Sequence, residues 1–264
     1  MNWNLIRKTV SDRRRGTLIY AGSIALYVVL ICSVFPSVKN IKQEALQNYP
    51  KNLSRLFGVQ SLDLKLFNNY IVVQFLALIW VAIVGAFVIS YARNMISGEL
   101  EEGTLELLLS QPIERWQVLT SEGMVLLAAI VGIVVSTVLA IFVFGTLFKV
   151  GLTYGGYAAF AVLGIALFIA IGGYSFFFSA LFNEHRRAVM AAAGLTLAFY
   201  LLHFAATYSK VADKIDWFGI FHYYNPFPVI NGGVFPVKDI LVLLLFGVVG
   251  FALALWVFRA KDIT

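Results

Sequence analysis

The densest cluster of ionisable side chains lies in residues 94–122, NMISGELEEGTLELLLSQPIERWQVLTSE. Glu99, Glu101, Glu102, Glu106, Glu114 and Glu122 stand there against only Arg93 and Arg115. Leucines at 100, 105, 107, 108 and 109 run between the carboxylates, enough to give a short helix one apolar side. Gly98 and Gly103 permit sharp changes of direction, Ser110 is placed to cap a following helix, and Pro112 is tolerated in that helix's first turn. Acceptor-only carboxylates beside protruding leucines suit docking. The leucines would insert into a groove on a soluble partner while the carboxylates meet its basic or hydrogen-bonding rim. A solvated helix at a membrane surface is the blander reading of the same residues.

A second polar set sits in apolar surroundings. Thr196, Tyr200, His203 and Thr207 recur at i, i+4, i+7 and i+11, which puts all four on one helical face. Gln74, Trp80 and Ser90 offer polar atoms in an earlier apolar run. Such groups line a solute path, or they bond one helix to another. His203 adds a group that can relay a proton. Metal chemistry finds little support: His203 and His222 lack the spacing of a ligand pair, and no H-E-x-x-H occurs. Glu101 and Glu102 lack the arginine that a membrane metalloprotease would carry four positions on, where Glu106 stands. The single cysteine, Cys32, can form neither an internal disulfide nor a structural zinc site.

The elements that position these groups follow from composition. Of 264 residues, 60% are hydrophobic and 13% charged, about half the charge of an ordinary soluble domain. The apolar runs are long and do not alternate, so helices rather than barrel strands must satisfy the backbone inside a bilayer. An all-α polytopic membrane protein with six spans is expected, at residues 17–35, 70–94, 118–148, 157–182, 188–208 and 237–258. Residues 1–16 carry Trp3, Leu5, Ile6 and Val10 among five basic residues, the pattern of an interfacial helix. Pro36 is expected to stop the first span. The stretch 17–35 is too long for a signal-peptide core and no small-residue cleavage site follows, so it reads as a span.

Residues 149–156 read as a tight turn and 209–236 as a segment too broken for one helix. The net charge of +6 reflects Lys and Arg between spans, as for anchors facing anionic lipid, rather than nucleic-acid binding. Five basic residues among the first sixteen place the N-terminus inside, and six spans return the C-terminus to that side. Gly172-Gly173, Ala191 to Gly194, and Gly247 with Gly250 permit close helix approach. The single transmembrane domain is expected to cover residues 1–264.

The run from Glu99 through Arg115, E-x-x-x-G-T-L-E-L-L-L-S-x-P-I-x-R, resembles the cytoplasmic signature of type-2 ABC transporter permeases. It stands where that family has it, after the second span. The layout of an interfacial helix plus six spans is also similar, as is the segment FHYYNPFPVINGG before the last span. Glu122 departs from the basic residue common at the start of span three.

The resemblance implies an exporter subunit whose residues 95–116 form a coupling-helix loop seated on an ATPase. Glu99, Glu102, Gly103, Thr104, Glu106, Leu109, Ser110, Pro112 and Arg115 would supply the contact, and Glu184 and Arg186, within 183–187, a smaller second one. It further implies two cytosolic ABC ATPase subunits binding ATP and Mg, a second permease copy or paralogue, and a path between facing copies of spans two and five. Gln74, Trp80, Thr196, Tyr200 and His203 are the path candidates. The location implied is a prokaryotic cell membrane, multi-pass, with both termini cytoplasmic.

The chain itself has no G-x-x-x-x-G-K-S/T loop to cradle phosphates, so no cofactor and no enzymatic activity are expected of it. A secondary carrier or channel without an ATPase, and a non-transporting assembly module, are the other readings. Ion-coupled carriers keep ionisable groups near the bilayer midplane, and these span boundaries leave none there.

Overall fold

The computed structural model describes residues 3–39, 64–93, 115–152 and 154–260. Six helices among them are long and apolar enough to cross a membrane. The order is α1 (Trp3–Lys39), α2 (Phe67–Ile71), a π-helical turn (Val72–Leu76), α3 (Ile79–Arg93), α4 (Arg115–Leu147), α5 (Tyr157–Leu181), α6 (His185–Ala206), α7 (Lys210–Asp213), 3-10 turns at Asp216–Phe218 and Ile220–Tyr223, α8 (Pro226–Gly232) and α9 (Val237–Ala260). No strand occurs among the described residues.

Several boundaries differ from the sequence expectation. Helix α1 runs unbroken from Trp3 through Gly16 and past Pro36 to Lys39, so no joint separates an interfacial helix from span one. Pro36 sits in the last turn, where its missing N–H costs a single hydrogen bond, and it does not end the helix. Span two begins at Phe67 and is interrupted: the Ala77 N–H bonds to the Val72 carbonyl five residues back, at 2.9 Å. Span three takes in Arg115 and Trp116, and span five takes in His185 to Arg187, leaving a short link after α5.

The bundle is centred on α5, the most buried of the six long helices, while α6 is the least. The α5–α9 pair is the most extensive in the bundle. Its residues explain why. A Cβ on Gly250 would stand 2.5 Å from the Gly173 carbonyl carbon and 2.7 Å from the Tyr174 nitrogen, and one on Gly247 would stand 2.6 Å from Ile169 Cγ2. Only glycine lets these two backbones meet, so Gly173, Gly247 and Gly250 are packing residues as expected. In the Ala191 to Gly194 run, by contrast, Ala193 and Gly194 are exposed and nothing lies within 4 Å of a Cβ at Gly194.

Apart from Ser121 Oγ, the buried side-chain polar atoms of the described residues are paired. Trp80 is fully buried, packs against Phe160 and Phe168, and donates its indole N–H to Thr137 Oγ1 at 3.1 Å. A Cβ on Gly164 would lie 2.6 Å from its ring. Tyr157 donates to Asn68 Oδ1 at 3.1 Å, and Asn231 donates to Asn69 Oδ1 at 2.8 Å, which fastens α2 to α5 and α8 at the end of the bundle away from the termini.

Candidate functional site

The apolar bundle leaves one cavity between spans two and five. It measures about 350 Å³ and is bounded on the α3 side by Val81, Gly85 and Ser90, and on the α6 side by Val189, Thr196 and Tyr200, with Phe221 above. Its walls are carbon, relieved by three hydroxyls, those of Ser90, Thr196 and Tyr200. Such a chamber accepts an apolar body and offers hydrogen bonds at a few points only.

The path candidates separate by place. Thr196 and Tyr200 line the cavity. Thr196 is also committed to packing: it donates to the Ala192 carbonyl at 2.7 Å and takes the Tyr174 hydroxyl proton at 2.6 Å. His203 lies one turn beyond Tyr200 and lines a smaller void of about 30 Å³ with Val72, Tyr200, Phe221 and Tyr224. Trp80, by contrast, is enclosed in the core and bonded to Thr137, and Gln74 is exposed on the π turn; neither borders the cavity.

The two hollows are divided by one aromatic pair. Tyr200 and Phe221 border both, and their rings meet edge to face at 5.4 Å between centroids. Phe221 is carried by a cap built from residues 210–233, the stretch expected to be irregular. Pro226 starts its one longer helix and Gly233, at φ 62°, ends it in the left-handed region that glycine tolerates.

Two bonds pin the cap down. Burial pushes the Tyr224 phenol well above its usual range, so it keeps its proton and donates to the Leu76 carbonyl at 2.9 Å, at the end of the π turn. On the α6 side, the buried Asp216 carboxylate takes His222 Nδ1 at 2.8 Å and His203 Nδ1 at 3.0 Å on the same oxygen. An ionised carboxylate only accepts, so both Nδ1 atoms carry hydrogen. Sequence reasoning missed Asp216 and Tyr224. Asp216 is thirteen residues from His203 and no spacing rule joins them; the one signal was an acid in a segment rich in aromatic residues.

At the opposite end, where the termini lie, Glu122 accepts the Tyr91 hydroxyl at 2.9 Å and Thr9 Oγ1 at 3.3 Å, and Arg13 lies 5.1 Å from the Tyr91 ring centroid. This joins α1, α3 and α4. Beside this end, Glu184 in the α5–α6 link and Arg186 in the first turn of α6 are exposed, and Glu184 pairs with Arg187 at 2.9 Å. An exposed pair of that kind contributes about 0–1 kcal/mol, so it leaves both groups ready to exchange partners. Glu99, Glu102, Gly103, Thr104, Glu106, Leu109, Ser110 and Pro112 lie outside the described residues, and Arg115 opens α4.

Fold and cavity define a multi-pass helical membrane protein with a chamber between two of its spans. The chain belongs to the ABC-2 family of transporter proteins, whose description, ABC-2 family transporter protein, it matches over residues 3–263. It is therefore a membrane permease component of ABC transport, and members of this family work with ATPase subunits. No curated protein matches the chain.

Proposed function

We propose that the chain is the membrane-spanning half of an ATP-driven exporter, in which ATP hydrolysis on separate cytosolic subunits drives alternating access. The cavity between α3 and α6 carries this reading. It falls between the two spans that the family resemblance assigns to the path. Its hydroxyl-dotted apolar wall favours an amphipathic or lipid-like substrate over a small ion.

In this reading the termini and residues 94–114 are cytoplasmic, and the cap at 210–233 faces outward. The ATPase docks on Glu99, Glu102, Glu106 and the leucines among them, with Glu184 and Arg186 as a second contact. Two permease chains and two ATPase chains make the working unit. That α6 is the least buried of the six long helices supports a second copy facing the open side of the chamber.

The experiment is copurification. The full chain, expressed with an ABC ATPase of the same cell, is expected to form a stable complex and to stimulate hydrolysis. Glu102→Lys reverses charge in the docking face and is expected to abolish complex and stimulation while membrane insertion is unchanged. Tyr200→Ala is expected to alter substrate-stimulated hydrolysis with the complex intact. A chain that never retains an ATPase, or a Glu102→Lys chain that retains it fully, overturns the docking assignment.

A further inference from the structure

The cap is tied to span five through one buried carboxylate shared by two imidazoles, and nothing derived so far uses that arrangement. Asp216 is 4% exposed, whereas the His203 and His222 side chains are 29% and 44% exposed, so protons reach the imidazoles readily. The cluster sits directly above the aromatic divider. His203 is one turn from Tyr200 on α6, and His222 follows Phe221 in the chain. Tyr200 and Phe221 close the chamber toward the cap. Whatever holds Asp216 against α6 therefore holds Phe221 against Tyr200.

We infer that Asp216, His203 and His222 form a proton-responsive latch that keeps the Tyr200–Phe221 divider shut and that acid on the cap side tightens. The inference rests on the proposed path between α3 and α6. Histidine is the side chain whose ordinary charge change falls between about pH 5 and pH 8. A neutral imidazole offers the carboxylate an ordinary hydrogen bond. A protonated one offers a charge-assisted bond, shorter and roughly twice as strong. His203 is the donor that comes from α6, so its protonation strengthens the tie to span five, while His222, itself in the cap, holds the carboxylate in place.

Other charges do not compete for this role. The 3-10 turn that carries Asp216 packs on α6, on the Ile220–Tyr223 turn and on α7. From α6 come His203 and Tyr200, with Tyr208 further along and exposed. From the second turn come His222 and Tyr223, whose hydroxyl is spent on the Trp217 carbonyl at 3.0 Å. That turn also packs on α9, whose first turn brings Lys238, exposed, and Asp239, half-buried. From α7 come Lys210 and Asp213, with Lys214 after them, all exposed. Among the described residues, the two imidazoles are the ion-pair partners of Asp216.

The test places a cysteine below the divider. Val81 lines the chamber on α3 and is 4% exposed, and Val211, 74% exposed on the cap, supplies the reference. Intact cells carrying the full chain with Val81→Cys, or with Val211→Cys, are treated from outside with a membrane-impermeant methanethiosulfonate. The ratio of the two rates cancels the pH dependence of thiol chemistry. In the otherwise unaltered chain the ratio is expected to fall several-fold between about pH 8 and about pH 5. Asp216→Asn is expected to raise it at the acid end by about tenfold, the equivalent of one lost charge-assisted bond.

His203→Asn with His222→Asn keeps an amide donor where each Nδ1 stood. That double variant is expected to hold the ratio low and to lose the pH response, which a purely structural role would not do. Phe221→Ala is expected to raise the ratio at every pH. If Phe221→Ala leaves the ratio unchanged, the path reading itself fails. If Phe221→Ala raises it while Asp216→Asn does not, or while the double variant still responds to pH, the latch fails and the path stands. Should Asp216→Asn not fold, His203→Asn alone must weaken the pH response, and an unchanged response overturns the latch.

Discussion

Replacing Gly173 by alanine tests the closest helix contact in the bundle. Its new methyl would fall on the Gly247 backbone, and no rotamer moves a methyl or a main chain. The reciprocal position shows the scale: at Gly250 the added carbon would be 2.5 Å from backbone, against 3.4 Å for the near edge of ordinary contact. Helices α5 and α9 must therefore part by about 1 Å, and a gap of that size forfeits a quarter to a half of each contact's dispersion energy. Overpacking of this kind costs about 1–3 kcal/mol, and backbone against backbone belongs at the upper end. Alanine's better helix propensity returns about 1 kcal/mol, leaving a net loss of about 2 kcal/mol. For a domain of this size that is about 4–8 °C in Tm. Thermal unfolding of the purified chain in detergent, followed by tryptophan fluorescence, measures it. Gly22→Ala and Gly132→Ala are the controls, since nothing lies within 4 Å of a Cβ at either site, and both should hold or gain stability. A Gly173→Ala chain that melts with these controls would refute the close crossing.

Three further outcomes are expected. Tyr224→Phe leaves the Leu76 carbonyl without its buried donor, a loss of about 1–3 kcal/mol that should appear as faster hydrogen exchange in the π turn with little change at α9. Tyr91→Phe removes the 2.9 Å bond to Glu122 and should lower stability by about 1 kcal/mol in the same melting assay, while Glu122→Lys, which can accept neither hydroxyl, should cost more. Cys32 is fully buried, so a membrane-impermeant thiol reagent should leave the native chain unlabelled and react only after denaturation; prompt labelling would contradict the packing of α1.

How far these features were legible depended on the length scale of each signal. Six apolar runs announce six spans because a bilayer demands about 20 apolar residues per crossing, a constraint that acts on sequence alone. The acidic, leucine-rich run after span two carried the family by its contiguous order, and the match over residues 3–263 bears that out. Thr196 and Tyr200 came from helical periodicity and do border the chamber. Trp80 was equally visible and sits elsewhere, because a polar atom in an apolar helix is satisfied as well by Thr137 as by a path. The π turn at Val72–Leu76 left no mark among ordinary apolar residues, and Asp216 found its histidines only when the cap folded back over α6.

In the proposed reading, force enters at residues 94–114 and must reach a chamber between α3 and α6. Helix α3 ends at Arg93 and α4 begins at Arg115, so a displacement of the acidic stretch acts on both ends. Those ends are joined by Tyr91 and Glu122, and Thr9 adds α1 to the same carboxylate. A lever that moved α3 alone would have to break this tie, so α1, α3 and α4 move together. Helix α6 is tied differently: Thr196 and Tyr174 bind it to α5, and Asp216 binds it to the cap. The chamber lies between α3 and α6, so motion of one against the other changes its width. The glutamate at 122 has a physical reason in this frame. A lysine or arginine there has no lone pair to offer, and the two hydroxyls that knit α1 and α3 to α4 would lose their acceptor.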